Sequence, residues 1–279
     1  MKVYLRKDLV KELDTDALLV YIALRSMYHK GEDEFYVSIN SICYRLFGNI
    51  SYTRAFKDSI TRGFSTLVER GMVVVKDKLN KTEFIINAEG LFFEKCFFIG
   101  IDLEYIRMAL ACDSRVDRGS LVKYLLTMVG TLCNDPLYFQ GCEYEHMVGQ
   151  IGFMPISYIA QEAGVSEQTA CTYNTILEEK YIIYIYRFNH TYYDDIQERI
   201  KSLNNYYGLF EHKQHILKFA RGAAAKYDVP FKPDTKDSNK HRSLSMKYNA
   251  MQKGKQYSEE ETKEILEYIK SKERYNGTR

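Results

Sequence analysis

Between Val37 and Asn87 the apolar positions change their spacing three times. Ile39, Ile42, Cys43, Leu46 and Phe47 recur at i, i+3, i+4 intervals and predict a short helix, with Ser38 placed to cap it and Gly48 to stop it. After Ser51, a second cap residue, Phe56, Ile60, Phe64, Leu67 and Val68 form one stripe along a longer helix that Gly71 closes. Two β-branched runs, Met72–Lys76 and Glu83–Asn87, flank a polar tip from Asp77 to Thr82 and predict a hairpin. Upstream, Leu18, Leu19, Ile22, Ala23 and Met27 mark the buried face of a helix that starts at Asp14 or Thr15. A short extended piece and a helix precede it in Val3–Leu13, a charged loop follows from His29, and Phe35–Val37 is expected to pair with the hairpin.

Three helices, a tight turn and a basic-tipped hairpin come in the order of a winged helix, which offers one helix to the DNA major groove and a loop to a neighbouring groove or backbone. The side chains agree. Tyr52 and Thr53 open the long helix, and Arg54, Lys57 and Arg62 fall off its apolar stripe, where a recognition helix meets base edges. Arg45 on the preceding helix and Lys76, Lys78 and Lys81 on the wing add expected phosphate contacts, which position without reading sequence. The alternatives are a protein-protein module and a merely solvated basic face.

The pattern then starts again. Phe97–Leu103 echoes Val3–Leu9, and Ser120–Leu126 echoes Ala17–Ala23. Met154–Ile159 stands where Val37–Ile42 stood, followed by a helix, a turn at Gly164, a helix capped by Ser166, and a strand. The offset drifts from 94 to 117 residues, so the repeat is structural rather than a close duplication. Charge separates the two copies. Ser51–Arg70 carries four basic residues against two acidic, whereas Ser166–Lys180 carries one lysine against three glutamates. Gln168, Thr169, Thr172 and Asn174 nevertheless have side chains able to read bases, so the second unit is either a further DNA reader or a packing and dimerisation module. The insertion from Asn134 to Gly152 is a candidate interface.

Beyond Arg187 the periodicity predicts helices over Asp194–Leu203 and Leu209–Tyr227, then a polar, flexible stretch, then a helix capped by Ser258 with three glutamates in its first turn. The expected fold class is α+β, mainly α with small β wings. The expected divisions are winged-helix domains at 1–92 and 93–190, a helical extension at 191–227, a basic linker at 228–256 and a C-terminal helix at 257–279.

Composition narrows the function. Hydrophobic content of 46% and charged content of 27% suit a globular chain that never enters a membrane, and the N-terminus lacks a signal-peptide core, so a cytoplasmic protein is expected. A net charge of +2 conceals an excess of eight positive charges between His212 and Lys255, which suits a polyanion or an acidic protein partner. Six cysteines without CxxC spacing predict a reduced chain. Cys43 and Cys171 fall at core-like helical positions, and the pair His212 and His215 has no companion ligands, so neither metal nor cofactor is expected. No phosphate-binding loop, GxSxG elbow, HExxH or nickase-type histidine pair occurs, and no enzymatic activity is expected.

Two winged-helix units in tandem, the opening YLRKDL followed by DTDALLVYIALRSMY, and a separate basic C-terminal region resemble the replication initiators and replisome organisers of plasmids and phages. In layout the chain is most similar to RepA-type initiators of Gram-positive plasmids, over residues 1 to about 190. The resemblance implies a protein that binds double-stranded DNA at an origin, often as a homodimer. It further implies DNA reading through the first unit and recruitment of helicase-loading or other replication proteins through the C-terminal region. A winged-helix transcriptional regulator and a protein-protein scaffold are the rival expectations.

Overall fold

The computed structural model describes residues 1–28, 34–48, 52–88, 91, 98–112, 116–133, 151–188, 191–194, 199–227, 231, 244, 247–248, 250–251 and 254–276. In chain order the elements are β1 (Lys2–Arg6), α1 (Lys7–Glu12), α2 (Thr15–Met27), β2 (Phe35–Ser38), α3 (Ile39–Phe47), α4 (Arg54–Glu69), β3 (Val74–Lys78), β4 (Glu83–Asn87), β5 (Phe98–Asp102), α5 (Leu103–Leu110), α6 (Arg118–Val129), α7 (Ile156–Ala163), α8 (Glu167–Glu179), β6 (Ile183–Tyr186), β7 (Thr191–Asp194), β8 (Arg199–Ser202), β9 (Tyr206–Leu209), α9 (Lys213–Lys226) and α10 (Glu259–Asn276). The class is α+β, mainly helical with small antiparallel sheets. Residues 1–185 and 205–216 form one compact unit, and residues 186–204 and 217–279 a second.

At the centre of the first unit lie α2 and α6, whose apolar residues cover most of the helix circumference, as in helices buried on nearly every side. Every residue from Ala17 to Leu24 is buried, and so are Leu121, Val122, Tyr124, Leu125, Leu126 and Met128. Both helices start at an aspartate cap: Asp14 accepts from the Ala17 amide at 2.9 Å and Asp117 from the Ser120 amide at 2.8 Å. Tyr21 and Tyr124, 103 residues apart like these caps, are fully buried. Burial obliges each hydroxyl to find a partner. Tyr21 accepts from the Arg6 amide at 2.8 Å, and Tyr124 donates to Asn174 at 2.9 Å.

Around each central helix the chain repeats one arrangement. In the first half α3, a turn and α4 pack beside α2, and the sheet β2-β4-β3 closes the module. In the second half α7, Gly164 and α8 stand beside α6, β6 pairs with β9, and Gly152 bridges to Tyr207 much as β2 pairs with β4. The halves share one hydrophobic core and are joined by β1 and β5, which run antiparallel with Lys2 opposite Asp102, Tyr4 opposite Gly100 and Arg6 opposite Phe98. These strands are equivalent at an offset of 96 rather than the 94 of the sequence echo. At that offset Tyr4 faces its own counterpart. The strand pair itself therefore has a local twofold between Tyr4 and Gly100, as two identical strands have across an isologous contact.

The helix ends explain why the elements stop where they do. Ser38 and Ser41 exchange side-chain and backbone hydrogen bonds in a capping box, and Gly48 ends α3 at φ 72°. Gly71, at φ 68°, lets the Met72 amide reach the Leu67 carbonyl and closes α4. At the same place in the second half Ile182 reaches Leu177, but the left-handed residue is Tyr181, at φ 54°. A side chain in that conformation costs about 1 kcal/mol. Its ring stands edge-on to Phe210, 5.1 Å between centroids.

Several expectations give way to tertiary structure. The cap of α4 is Thr53, which accepts from the Phe56 amide at 3.3 Å, and the helix begins at Arg54; Ser51 lies outside the described residues. The first hairpin strand lies two residues later than its β-branched run, and its register shifts between Val75 and Asp77. Cys43 is buried as expected, but Cys171 is exposed, because the buried stripe of α8 runs through Ala170, Tyr173, Asn174 and Leu177. Asn174 is thus a core residue bonded to Tyr124 rather than a base reader. The described residues of Asp194–Leu203 are not helical: β7 and β8 pair antiparallel between β6 and β9 in the chain, where tyrosine-rich, β-forming sequence precedes the return to the partner strand.

The second unit is built on α9 after Ile216 and on α10. Ser258 caps α10 by accepting from the Glu261 amide at 3.2 Å, and Ile265 is buried. Tyr186 stacks on Phe231 at 5.3 Å, with the Arg221 guanidinium 5.0 Å over the Phe231 ring. The stretch expected to be a linker is partly helical: Leu244, Lys247, Tyr248, Ala250 and Met251 have helical backbone, and Gly254 has φ 90°. Residues 228–230, 232–243, 245–246, 249 and 252–253 of that stretch, and 134–150 of the expected interface loop, lie outside the described residues.

Candidate nucleic-acid interface

Sequence alone treats every cation near α4 as equivalent; the structure sorts them by what they already bind. Arg45 is turned inward. Its Nε donates to the Ser26 hydroxyl at 2.9 Å and its Nη2 to the Ser26 carbonyl, which ties the end of α2 to α3. Arg62 is forked onto Asp16 at 2.9 and 3.1 Å and also donates to Ser59. Because its side chain is 65% exposed, that pair is worth under about 1 kcal/mol and a phosphate competes for it readily. Lys76 stands at the β3 irregularity, 3.7 Å from Glu34 across the sheet.

Arg54, Lys57, Lys78 and Lys81 have no ion pair among the described residues. Arg54 projects from the first turn of α4, a turn without any acidic residue, and Lys57 follows one turn on. There the positive end of the helix dipole and two cations add. Lys78 and Lys81 are exposed at the hairpin, whose tip is held rigid by Asn80. Its carbonyl oxygen accepts from the Thr82 amide at 2.8 Å, and its amide nitrogen donates to Glu83 at 2.6 Å.

Tyr52 and Thr53 hold this surface together. The Tyr52 hydroxyl donates to Asn40 at 2.8 Å and so latches the entry of α4 to α3, and the ring packs against the core. Thr53 is occupied as the cap. Phe47 and Phe56 meet edge-on at 4.2 Å beneath them. Cys43, behind the latch, has its thiol pushed up to about 11 by burial, so it behaves as an apolar packing group.

In the second module Gln168 and Thr172 are exposed on α8 beside Cys171 and Thr175. Thr172 donates to the Gln168 carbonyl at 3.1 Å, and Thr169 is bonded to the Ser166 hydroxyl at the cap. Glu167 occupies the first turn of α8. That carboxylate opposes a phosphate where α4 attracts one. The twelve residues singled out in sequence thus divide. Arg54, Lys78, Lys81, Gln168 and Thr172 face solvent and Lys57 is half-buried, all without a charged partner among the described residues, Arg62 and Lys76 are in exposed pairs, and Arg45, Tyr52, Thr53 and Thr169 maintain the frame.

Among the described residues no three His, Cys, Asp or Glu side chains converge as metal ligands, and no helix is long and apolar enough to cross a membrane. His212 and His215 lie 6.1 Å apart, and burial holds the His212 imidazole below its ordinary pKa. Comparison of the chain with known protein families, curated proteins and solved structures gives no match.

Proposed function

We propose that this chain is a double-stranded DNA-binding protein in which two winged-helix units share one body, and that it acts as a replication initiator or replisome organiser on a plasmid or other mobile element. The observation that carries the DNA reading is the group of cations without ion pairs among the described residues, Arg54, Lys57, Lys78 and Lys81, on a capped helix and a rigid hairpin of one module. Phosphate contacts from the hairpin and the first turn of α4 would set the register, leaving the exposed face of α4 against base edges. The recurrence of helix, turn and helix as α7, Gly164 and α8 beside α6 supports a second contact from the same chain. In that reading α8 approaches an adjacent groove with Gln168 and Thr172, and its glutamate-bearing surface makes this half the weaker partner.

The replication role follows the resemblance in layout, and a second unit that carries α10 is a natural place for a helper protein to dock. The scaffold reading keeps one observation in its favour, the acidic α8. Selection of a preferred sequence from random duplexes, followed by hydroxyl-radical footprinting, tests the proposal. One chain should protect two segments about one helical turn apart on one face of the duplex. Absence of any selected sequence would favour the scaffold.

A further inference from the structure

A basic residue of each half reaches the helix-turn-helix of the other. Lys11 on α1 and Arg107 on α5 are counterparts at the offset of 96 that relates β1 to β5. Lys11 reaches Glu162 on α7 at 3.1 Å. Arg107 reaches back into the first half, where its Nε and Nη2 donate to the Arg45 carbonyl at 3.2 and 3.0 Å. That carbonyl belongs to the last turn of α3, where the helix runs out of amides and none among the described residues donates to it. The guanidinium carbon also lies 3.5 Å from where a Cβ on Gly48 would stand, beside the residue whose left-handed conformation ends α3.

The two braces differ in what they hold. Lys11–Glu162 is a side-chain pair with a largely exposed lysine, of the kind that contributes little. The guanidinium of Arg107 meets backbone at the negative end of a helix, and its acceptor residue, Arg45, in turn donates to the hydroxyl and carbonyl of buried Ser26 at the end of α2. The chain Arg107, Arg45, Ser26 therefore fixes the end of α3 against α2 just before the chain turns into α4.

We infer that Arg107, together with Arg45, is a positioning residue for DNA binding by the first module: the second half of the chain sets the angle at which α4 is presented. This rests on the proposed DNA reading, because the effect is exerted on the Arg54 and Lys57 surface. It also assigns a role to Arg45 other than phosphate contact.

The test uses the full chain, a random duplex of about 30 base pairs and four variants: Arg107→Ala, Arg107→Lys, Lys11→Ala and the triple variant Arg54→Ala, Lys57→Ala, Lys78→Ala. Arg107→Ala should weaken binding by about tenfold while leaving the dependence of log K on log salt unchanged, because no phosphate contact is removed. Arg107→Lys, which keeps a donor for the Arg45 carbonyl, should recover most of the affinity, and Lys11→Ala should bind like the parent. Hydrogen exchange without DNA supplies a second readout. The Gly48 amide, bonded to the Tyr44 carbonyl, and the Lys57 amide, bonded to the Thr53 carbonyl, should exchange faster in Arg107→Ala and not in Lys11→Ala.

Parent-like binding and exchange in Arg107→Ala would overturn the inference. So would a salt slope that falls by about one, which marks a direct phosphate contact, or an equal loss in Lys11→Ala, which marks general destabilisation. If the triple variant binds like the parent while exchange at Gly48 and Lys57 still rises in Arg107→Ala, the DNA reading fails and the brace stands.

Discussion

Gly63 sits where α4 crosses the first turn of α2, and replacing it by alanine measures how tightly α4 is seated. A Cβ there would stand 2.3 Å from the Asp16 carbonyl oxygen, 2.4 Å from its carbon and 2.8 Å from the Ala17 nitrogen. Relief requires α4 to lift by about 1 Å, since α2 cannot easily yield. Its first turn is fixed by the Asp14 cap on the Ala17 amide and by the Leu18 amide on the Asp14 carbonyl, both at 2.9 Å. Overpacking of this kind costs about 1–3 kcal/mol. The clash is with backbone atoms, so the cost falls in the upper part of that range, about 2–3 kcal/mol, and with about 1 kcal/mol returned by the better helix propensity of alanine the net loss is about 1–2 kcal/mol. Gly222 provides the control. It lies within α9 with no atom within 4 Å of the added carbon, so Gly222→Ala should gain up to about 1 kcal/mol. Urea unfolding followed by circular dichroism should therefore move the two midpoints in opposite directions, and Gly63→Ala should also bind duplex more weakly. A Gly63→Ala protein as stable as the parent would refute the seating argument.

Three further outcomes follow from the core and its ionisable groups. Tyr124→Phe strands the amide of Asn174, which is only 8% exposed, and should cost about 1–3 kcal/mol, whereas pairing it with Asn174→Leu should restore part of the loss. Burial pushes the Tyr21 and Tyr207 phenols up to about 12 and raises Tyr124 as well. Because these folded values exceed the unfolded value of about 10, the stabilisation is complete below pH ~10 and is lost as the pH rises towards ~12. The loss should approach 1.4 kcal/mol per pH unit per tyrosine, about 4 for the three. Denaturation at intervals from pH ~9 to ~11 should show it, less steeply in Tyr21→Phe, and a flat profile would contradict it. Lys123, whose ammonium donates to the Lys11 and Leu13 carbonyls at the end of α1, should cost about 1–3 kcal/mol when changed to methionine, which cannot satisfy them.

Much of this fold can be read locally, and the failures share a cause. Ser38, Gly48, Gly71, Gly164 and Ser166 act within one helical turn of themselves, so their spacing in sequence is already their function in structure. The charge contrast between α4 and α8 is likewise visible in composition. What sequence could not supply was partnership at a distance. Arg45 and Arg54 look alike until Ser26 and Arg107 are seen to engage the first and not the second. Asn174 looks like a reader because its partner, Tyr124, is 50 residues away. Ile196, Ile200 and Leu203 have helical spacing, yet β7 and β8 pair antiparallel across that segment before the chain returns to β9. The pairing of β1 with β5, nearly a hundred residues apart, is likewise announced by no periodicity.

The most direct measurement is a salt titration of binding to a random duplex of about 30 base pairs, comparing the full chain with Arg54→Ala, Lys57→Ala, Lys78→Ala and with a truncation at Asp228. Removing one phosphate contact should reduce the slope of log K against log salt by about 0.9. If α4 and its hairpin read the duplex, the triple variant binds far more weakly with a slope lower by about 2–3, while the truncation keeps most of the affinity. A triple variant that keeps the slope of the parent, with binding abolished only on truncation, would place DNA contact in the basic C-terminal segment and contradict the assignment of α4 and its hairpin as the reader.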